Sequence, residues 1–178
     1  MAVMRLERFD FDIQQLHIDA LAYYERFRPQ QHQICVTGTD KNSDPQQGAG
    51  SLVYDWSNNA KTPITNRLRE DQFTEFLDVF KDDYVKTVYD QLSEHWRIGR
   101  LRFMYLRPKT ALSWHRDTTA RLHIPIVTDS DRTALVVENT VIRMPADGKA
   151  YYVDTTRFHT AFNAGDKMRI HLVAVLLD

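Results

Sequence analysis

The stretch KMRIHLVAVLL, residues 167–177, decides the fold, because two kinds of side chain alternate along it. Successive side chains of a β-strand point to opposite faces, so one face is entirely apolar and the other begins with basic residues. The apolar face consists of Met168, Ile170, Leu172, Ala174 and Leu176, and the other of Lys167, Arg169, His171, Val173 and Val175. This pattern predicts a strand with one face buried in a hydrophobic core.

A second strand of the same kind is predicted for RLHIPIV, residues 121–127. Leu122, Ile124 and Ile126 share one face, while Arg121 and His123 begin the other. A pocket for an anion concentrates Arg and His at one end of a face, whereas a sheet facing water carries mixed charges along its whole length. These two strands alone are compatible with either interpretation.

Five further runs rich in Val, Ile, Tyr, Phe and Thr lie in the same half of the sequence. They predict strands at residues 101–106, 134–138, 140–144, 150–153 and 160–163. Turn residues separate these runs. Seven short strands in succession predict a mainly β domain, a small barrel or jelly roll, with N-terminal helices packed against one sheet.

The N-terminal half has a different periodicity. Apolar residues recur every three or four positions between Phe9 and Phe27, which predicts a helix that Pro29 ends. A similar stripe predicts a second helical region from Arg69 to Trp96, stopped by Gly99. The polar stretch 39–50 has no period and predicts a mobile loop that could cover a site.

Length and composition indicate one domain over residues 1–178, with a helical part at 1–99 and a β core at 100–178. The 23 basic and 24 acidic residues nearly cancel, so no overall field favours nucleic acid or an anionic membrane as a partner. A single cysteine excludes an internal disulfide and a cysteine-built zinc site. The chain lacks a signal-like or membrane-spanning apolar run, and we expect a cytoplasmic protein.

The segment His115-Arg-Asp117 is the first candidate for metal binding. On an extended backbone, residues two apart share a face, so both side chains can occupy adjacent positions on one metal ion. The pair His17-Ile-Asp19 has the same spacing but lies in the first predicted helix, where residues two apart diverge. We therefore interpret His17 as a residue of the helix surface.

His159 is the third expected ligand, since it lies in the β-rich half within the segment DTTRFHTAFN, residues 154–163. Two histidines and one carboxylate on one side of iron leave three positions for a bidentate 2-oxo acid and dioxygen. Arg169 follows His159 by ten residues and can hold the far carboxylate of such a co-substrate through two parallel hydrogen bonds. If the two strands form a hairpin, His159 and Arg169 share a face only when the loop between the strands has an odd number of residues. This predicts a three-residue turn at Asn163-Ala-Gly165, with Gly165 in the left-handed conformation.

The combined pattern resembles the aspartyl/asparaginyl β-hydroxylase family, including its proline 3-hydroxylase-like members. The resemblance covers about residues 101–177 and is carried by HRD at 115–117, RLHIPI at 121–126, DTTRFHTAFN at 154–163 and RIHL at 169–172. It implies a double-stranded β-helix of the cupin-like type. It also implies iron(II) bound by His115, Asp117 and His159, and 2-oxoglutarate held by Arg169 with Arg121 and His123 near its other end.

The activity implied is hydroxylation of an unactivated C–H bond, with dioxygen consumed and 2-oxoglutarate converted to succinate and carbon dioxide. Animal peptide hydroxylases of this family lack the metal carboxylate, whereas Asp117 is present here, so the chain looks closer to bacterial hydroxylases of free amino acids. The expected substrate is a free amino acid or a residue of a peptide. Trp114 directly precedes the first ligand and could wall the pocket.

Two alternatives predict different biochemistry. A cupin-like module would bind a metal or ligand without turnover, and a catalytically silent relative acting through protein contacts would do neither. The complete His115, Asp117 and His159 triad together with Arg169 argues against both, because an inactive site has no physical need for all four. His123 and His171 fit either a structural role inside the barrel or contact with the co-substrate.

Overall fold

The structure is a computed structural model that describes residues 1–55, 62–64 and 67–177. It contains two antiparallel sheets, one of six strands and one of four, with the helices against the outer face of the larger sheet. Hydrophobic residues of both sheets meet in a second core between them, which consists of Leu135, Val137, Ile142, Met144, Tyr151, Val153 and Ala161. The expected mainly β fold with helices on one sheet is confirmed.

The strands are numbered in chain order. The larger sheet has, from edge to edge, β1 (Val3–Leu6), β12 (Ala150–Val153), β9 (Arg121–Val127), β14 (Arg169–Leu176), β7 (Ile98–Leu106) and β2 (Gln33–Cys35). The smaller sheet has β11 (Thr140–Ile142), β10 (Thr133–Val137), β13 (His159–Asn163) and β8 (Thr110–Ala111). Two short ribbons pair β3 (Thr37–Gly38) with β6 (Glu75–Phe76), and β4 (Tyr54–Asp55) with β5 (Thr62–Pro63).

The alternation predicted for β9 and β14 is present. The apolar residues of both strands lie in the core beneath the helices: Leu122, Ile124, Ile126, Ile170, Leu172, Ala174 and Leu176. On the other face, His123 is paired directly with Val173 of β14 and with Tyr151 of β12. Directly opposed residues share a face, and Tyr151 belongs to the core between the sheets, so the basic residues of these strands face the interior of the barrel.

The first helix, α1, spans Ile13–Phe27. Asp12 caps it by accepting a hydrogen bond from the Gln15 backbone at 3.0 Å, which satisfies one of the free N–H groups of the first turn. Arg28 ends the helix in the left-handed conformation, with φ of 44°, just before Pro29. The predicted end is therefore correct, whereas the predicted start at Phe9 is four residues early.

The second predicted helical region, Arg69–Trp96, is wrong over most of its length. The α-helix there, α2, covers Tyr84–Ser93, and it is preceded by two 3₁₀ turns at Glu70–Gln72 and Asp78–Phe80 with β6 between them. Phe73, Leu77 and Phe80 are fully buried all the same. Their spacing reflects packing of successive turns onto one core, which periodicity alone cannot distinguish from a helix face.

Gly99 lies inside β7 and does not stop a helix. A Cβ atom at this position would come within 2.8 Å of the Glu70 backbone oxygen and 2.9 Å of the Leu177 side chain. The absence of a side chain therefore lets the 3₁₀ turn that carries Glu70 press directly against the strand.

The N-terminal part is less helical than expected, because β1 and β2 form the two edges of the larger sheet. The loop expected to be mobile at residues 39–50 is held at its end, since Arg100 donates hydrogen bonds to the carbonyl oxygens of Gly48 at 2.8 Å and Gly50 at 3.1 Å. Within the described ranges no helix combines the length and the apolar character that a membrane crossing needs.

The predicted hairpin between His159 and Arg169 is wrong. The strand β13 belongs to the smaller sheet and β14 to the larger, so the connection between them crosses from one sheet to the other. Gly165 is not left-handed. The buried Asn163 shapes the crossing, because its side-chain amide donates to the carbonyl oxygens of Leu106 and Lys167 and its oxygen accepts from the Gly165 backbone.

Candidate metal centre

The three residues predicted as metal ligands lie together at one end of the barrel. His115, Asp117 and His159 each offer a ligand atom, and these atoms lie within 4.8 Å of one another. The Nε2 atom of His115 is 4.0 Å from Asp117 Oδ1, and the Nε2 atom of His159 is 3.7 Å from Asp117 Oδ2. Ligand atoms in adjacent positions about 2 Å from a shared ion are about 3 Å apart, so a bound ion would draw these side chains slightly closer together.

Backbone pairing brings these residues together. The chain from 112 to 117 runs antiparallel to β13, with His115 and His159 exchanging both backbone hydrogen bonds, at 3.0 and 2.7 Å. Beyond this bridge the Asp117 N–H donates to the Thr155 carbonyl at 2.8 Å, and the Thr155 hydroxyl donates to the Thr119 carbonyl at 2.8 Å. The segment that contains His115 and Asp117 is thus fixed to the segment that contains His159.

Both histidines are oriented for metal binding through Nε2. The Nδ1 atom of His115 lies 2.6 Å from the Ser113 carbonyl oxygen, and that of His159 lies 3.0 Å from the Arg157 carbonyl oxygen. A carbonyl oxygen accepts a hydrogen bond, so Nδ1 carries the proton and Nε2 presents a lone pair. Burial lowers the pKa of His159, which favours the neutral form that a metal requires.

The competing pair at His17 and Asp19 is confirmed as part of α1. Asp19 is buried and accepts a hydrogen bond from the Gln15 side chain at 3.0 Å. The two residues belong to no metal-compatible cluster among the described residues. The two His-x-Asp pairs thus differ although their spacing is equal. Side chains two residues apart share a face on the extended segment at 115–117, whereas on the helix at 17–19 they point in different directions.

Arg169 lies inside the barrel, as the alternation predicted. It is 5% exposed, and burial lowers the pKa of its guanidinium to about 10, so it remains charged at neutral pH. No carboxylate forms an ion pair with it within the described part of the chain. Arg169 lines a cavity of about 240 Å³ together with Gln33, Met104 and Leu112.

His171 is a partner of Arg169 on the same strand face. The guanidinium donates to Nδ1 of His171 at 3.2 Å, which leaves Nδ1 without a proton and places the proton on Nε2. That Nε2–H is buried and has no acceptor among the described residues. Burial, with Arg169 nearby, holds the pKa of His171 well below its usual value, so the ring is a neutral donor.

His123 packs edge-on against His171, with ring centroids 5.7 Å apart. Burial and the charge of Arg169 hold its pKa well below the usual value, and its Nδ1 atom also lacks a hydrogen-bond partner in the described structure. Buried polar atoms in native proteins are nearly always satisfied. Two imidazole nitrogens without a hydrogen-bond partner, and a guanidinium without a carboxylate partner, among the described residues therefore indicate a binding pocket for a polar, anionic ligand.

Arg121, predicted to lie near the co-substrate, is almost fully buried and bonded to the protein. It donates to the Thr119 carbonyl and hydroxyl at 2.9 and 2.7 Å, and to Glu70 at 2.5 Å. It also lies 3.3 Å from Asp117 Oδ2. Its contact with a co-substrate stays a prediction.

Trp114 lies at the rim of the site. Its ring is half exposed and parallel to that of Phe158, with centroids 6.4 Å apart, and Arg116 lies over the Phe158 ring at 5.6 Å. These two aromatic residues directly precede His115 and His159 in sequence. Whether Trp114 walls the substrate pocket stays a prediction.

Comparison of the sequence with models of known protein families identifies the family of this chain. The sequence model of the aspartyl/asparaginyl β-hydroxylase family matches residues 57–177, more than half of the chain. The chain belongs to the aspartyl/asparaginyl β-hydroxylase family. This β-hydroxylase family member is accordingly a 2-oxoglutarate-dependent dioxygenase, as its motifs predicted. A search of curated protein sequences finds no match.

Solved structures share the fold of this β-hydroxylase family member at low sequence identity. The viral collagen prolyl hydroxylase of Paramecium bursaria Chlorella virus 1 is 8% identical with a TM-score of 0.52, aligned over 99% of this chain and 90% of the viral one. The protein AviO1 of Streptomyces viridochromogenes Tue57 is 13% identical with a TM-score of 0.51, aligned over 99% and 90% of the two chains. These likenesses show the jelly-roll architecture.

One charged residue of the interior, Glu70, could not be found from the sequence of this β-hydroxylase. It lies in a segment predicted to be helical, and its partners Arg100 and Arg121 are 30 and 51 positions away. Local patterns carry no information about contacts of that range. His171, in contrast, was detectable because it shares a strand face with Arg169.

Proposed function

We propose that this protein uses iron(II), dioxygen and 2-oxoglutarate to hydroxylate an unactivated C–H bond of an amino acid or of an amino-acid side chain. Succinate and carbon dioxide are the co-products. The observation that carries the proposal is the cluster of His115, Asp117 and His159, whose ligand atoms lie within 4.8 Å of one another. The barrel interior also contains Arg169, a buried arginine with no carboxylate partner among the described residues. Family membership supports the reaction class.

Iron(II) would be held by the Nε2 atoms of His115 and His159 and by the Asp117 carboxylate. The donor set fits, because the Nδ1 atom of each histidine is bonded to a backbone carbonyl and leaves Nε2 free. Two imidazoles and one carboxylate form the facial arrangement typical of non-haem iron(II) oxygenases. Bound iron(II) supplies the activation of dioxygen that couples oxidative decarboxylation to hydroxylation.

The co-substrate would be held by Arg169 and His171. The guanidinium offers two parallel donors to the distal carboxylate of 2-oxoglutarate, and the orphaned Nε2–H of His171 offers a third. The Nδ1 atom of His123, on the same face, is also unsatisfied within the described structure. These side chains are buried, so a bound dicarboxylate would be shielded from water and its charge stabilised more strongly than at the surface.

Arg102 favours a substrate that carries a carboxylate. It is 9% exposed, donates to the Gln33 side chain at 3.1 Å, and has no carboxylate partner among the described residues. Arg102 in β7 is paired with Val173 of β14 on the inner face, and His123 in β9 is paired with the same residue from the opposite edge of β14. Burial and the neighbouring Arg100 lower its pKa to about 9, so it is charged at neutral pH. A second unpaired cation beyond Arg169 suits the carboxylate of an amino acid.

The protein's part in the reaction is to fix geometry and exclude water. Arg169 and His171 orient the co-substrate, while the hydrogen bonds between Asp117 and Thr155 and between Thr155 and Thr119 hold the ligand-bearing segment. Fixed orientation lowers the entropic cost of the chemical step. The rings of Trp114 and Phe158, which are half exposed next to His115 and His159 in sequence, are the proposed contacts for an entering substrate.

The first experiment is turnover of 2-oxoglutarate with iron(II), ascorbate and oxygen, measured as succinate in the presence and absence of a panel of amino acids and short peptides. We expect succinate formation that a subset of these compounds stimulates. A cupin-like module without turnover would bind metal but form no succinate, and a silent relative would do neither.

Single substitutions test the ligands. His115→Ala, Asp117→Ala and His159→Ala should each weaken metal binding by more than about a hundredfold, because changes even outside the ligand shell cost tenfold to a hundredfold, and each should abolish turnover. His17→Ala is the control, since it removes the histidine of the other His-x-Asp pair. Activity that survives Asp117→Ala but not His17→Ala would mean that the wrong pair was chosen.

A further inference from the structure

Glu70 joins two buried arginines of the barrel interior. Its Oε1 atom lies 2.5 Å from Arg100 and its Oε2 atom lies 2.5 Å from Arg121. The arginine side chains are 5% and 3% exposed and that of Glu70 is 19% exposed, so water screens these pairs poorly. The carboxylate comes from the 3₁₀ turn that Gly99 allows to approach β7.

Arg121 extends this network to a proposed metal ligand. The nitrogen that binds Glu70 also lies 3.3 Å from Asp117 Oδ2. The other terminal nitrogen donates to the carbonyl and the hydroxyl of Thr119. The guanidinium is therefore fixed on one side by Glu70 and on the other by the segment that follows Asp117.

The two carboxylates share the charge of Arg121 unequally. Glu70 is at 2.5 Å and Asp117 at 3.3 Å, so Glu70 is the principal partner. An arginine that had Asp117 as its sole carboxylate would form a close ion pair with it and compete with a metal for its oxygens. With Glu70 present, the Asp117 carboxylate is oriented by Arg121 and still faces the two histidine Nε2 atoms.

Charge balance requires Glu70 to be ionised. Burial raises the pKa of Glu70, but the opposing effects of Arg121, Arg100 and Arg102 are larger together and leave the pKa below its usual value. Its neighbour in the same turn, Asp71, is half exposed and forms an ion pair with Arg69 at the surface. The turn thus contains one acidic residue directed inward and one directed outward.

We propose that Glu70 is a positioning residue for the metal centre, which acts through Arg121 to hold the Asp117 carboxylate in the orientation that binds the ion. This role rests on the proposed function, since it presupposes a metal at His115, Asp117 and His159. It also explains why a residue from the N-terminal part of the chain reaches into the barrel.

The test is titration of the full-length, metal-free protein with cobalt(II), whose visible absorption reports the number and geometry of its ligands. Glu70→Gln keeps the shape of the side chain but removes its charge. We expect its cobalt(II) affinity to fall by roughly tenfold to a hundredfold, the range for residues that support metal ligands, with an altered absorption spectrum. Glu70→Asp, which keeps the charge with a shorter reach, should give an intermediate loss.

Asp71→Asn is the matched control and should leave both affinity and spectrum at the wild-type values. Unfolding temperature, measured for every variant, separates a structural effect from a positioning effect. If cobalt(II) affinity and spectrum stay unchanged in both Glu70 variants, the positioning role is wrong. The role is also wrong if Glu70→Gln lowers only the unfolding temperature and leaves cobalt(II) affinity and spectrum unchanged. A wild-type protein that binds no cobalt(II) would instead overturn the proposed metal site.

Discussion

Arg169 and His171 place two hydrogen-bond donors for a ligand on one face of a single strand. One is a cation without a carboxylate partner in the described structure and the other is a neutral ring whose donor lacks an acceptor. Leaving a buried donor unpaired costs roughly 1–3 kcal/mol. A ligand carboxylate that satisfied both would remove this cost, so the pair favours a ligand that carries a carboxylate, such as the proposed 2-oxoglutarate.

Replacement of Arg169 by alanine should raise the dissociation constant for 2-oxoglutarate by about a hundredfold, since two charge-assisted hydrogen bonds contribute roughly 3 kcal/mol. Arg169→Lys should restore part of the affinity, because lysine offers charge without the planar fork. The measurement is equilibrium binding without oxygen, in the presence of metal. Metal affinity should be nearly unchanged.

The exposed Arg143 provides the comparison, as its guanidinium contacts the Ser130 carbonyl at the surface. Arg143→Ala should bind 2-oxoglutarate like the wild type. Equal affinity of the Arg169→Ala variant and the wild type would remove the anchor from the proposed site.

Among the structural elements, the crossing between β13 and β14 depends on one side chain. Asn163 is 1% exposed and satisfies the carbonyl oxygens of Leu106 and Lys167 as well as the backbone N–H of Gly165. Asn163→Ala would remove these three hydrogen bonds. We expect a loss of about 3 kcal/mol or more in the free energy of unfolding.

Urea denaturation of this variant measures the effect, and Asn42→Ala, at an exposed position of the 39–50 loop, is the control. The Asn42 variant should unfold within about 0.5 kcal/mol of the wild type. A small effect of Asn163→Ala would mean that the crossing is formed by the two sheets and not by the amide.

The strand elements show which features the sequence determines. The bounds of β9 and β12 agree with those predicted from alternation and turn residues, because a strand with one buried face has a clear period of two. Alternation also placed Arg169 inside the barrel. It could not tell that β13 and β14 belong to different sheets, since the Asn163 contacts that direct the chain across are tertiary.

The clustering of the three candidate metal ligands was predictable for a similar reason. His115, Asp117 and His159 are specified by short motifs, and the extended backbone around His115 gives them a common direction. The helix predicted over Arg69–Trp96 failed because buried aromatic residues at successive turns imitate its period. Glu70 lies in this wrongly predicted segment, so its inward direction was not predicted.

At the scale of the whole molecule, the near-zero net charge conceals an uneven distribution. Among the described residues, four arginines and three histidines are buried: Arg100, Arg102, Arg121, Arg169, His123, His159 and His171. The imidazoles of His123 and His171 stay neutral because burial holds their pKa well below 6.5. Protonation of either ring inside this cationic environment would cost much more than in the unfolded chain.

Stability should therefore fall as the pH falls. Below the unfolded pKa of 6.5 the unfolded state takes up protons that the folded state excludes, so the unfolded state is favoured. Each histidine contributes about 1.4 kcal/mol per pH unit, and the pair should cost about 3 kcal/mol between about pH 7.5 and about pH 5.5. Urea denaturation of the metal-free protein at these two pH values measures the difference.

The variant His171→Leu should lose only about half as much stability over the same interval, because a single shifted histidine of the pair remains. Stability that is constant or rises toward acidic pH in the wild type would show that the two rings are protonated in the folded state, which would contradict their assignment as neutral groups.

The crossing of the chain between the sheets has a mechanical consequence. His159 lies on the smaller sheet and Arg169 on the larger, so a co-substrate gripped at both ends, as proposed, would act as a non-covalent cross-link that bridges the two halves of the sandwich. The distance between those halves would then set the length of dicarboxylate that fits. Residues such as Leu135 and Val153, which pack between the sheets, would then set this distance and so influence which co-substrate fits, without contacting the co-substrate.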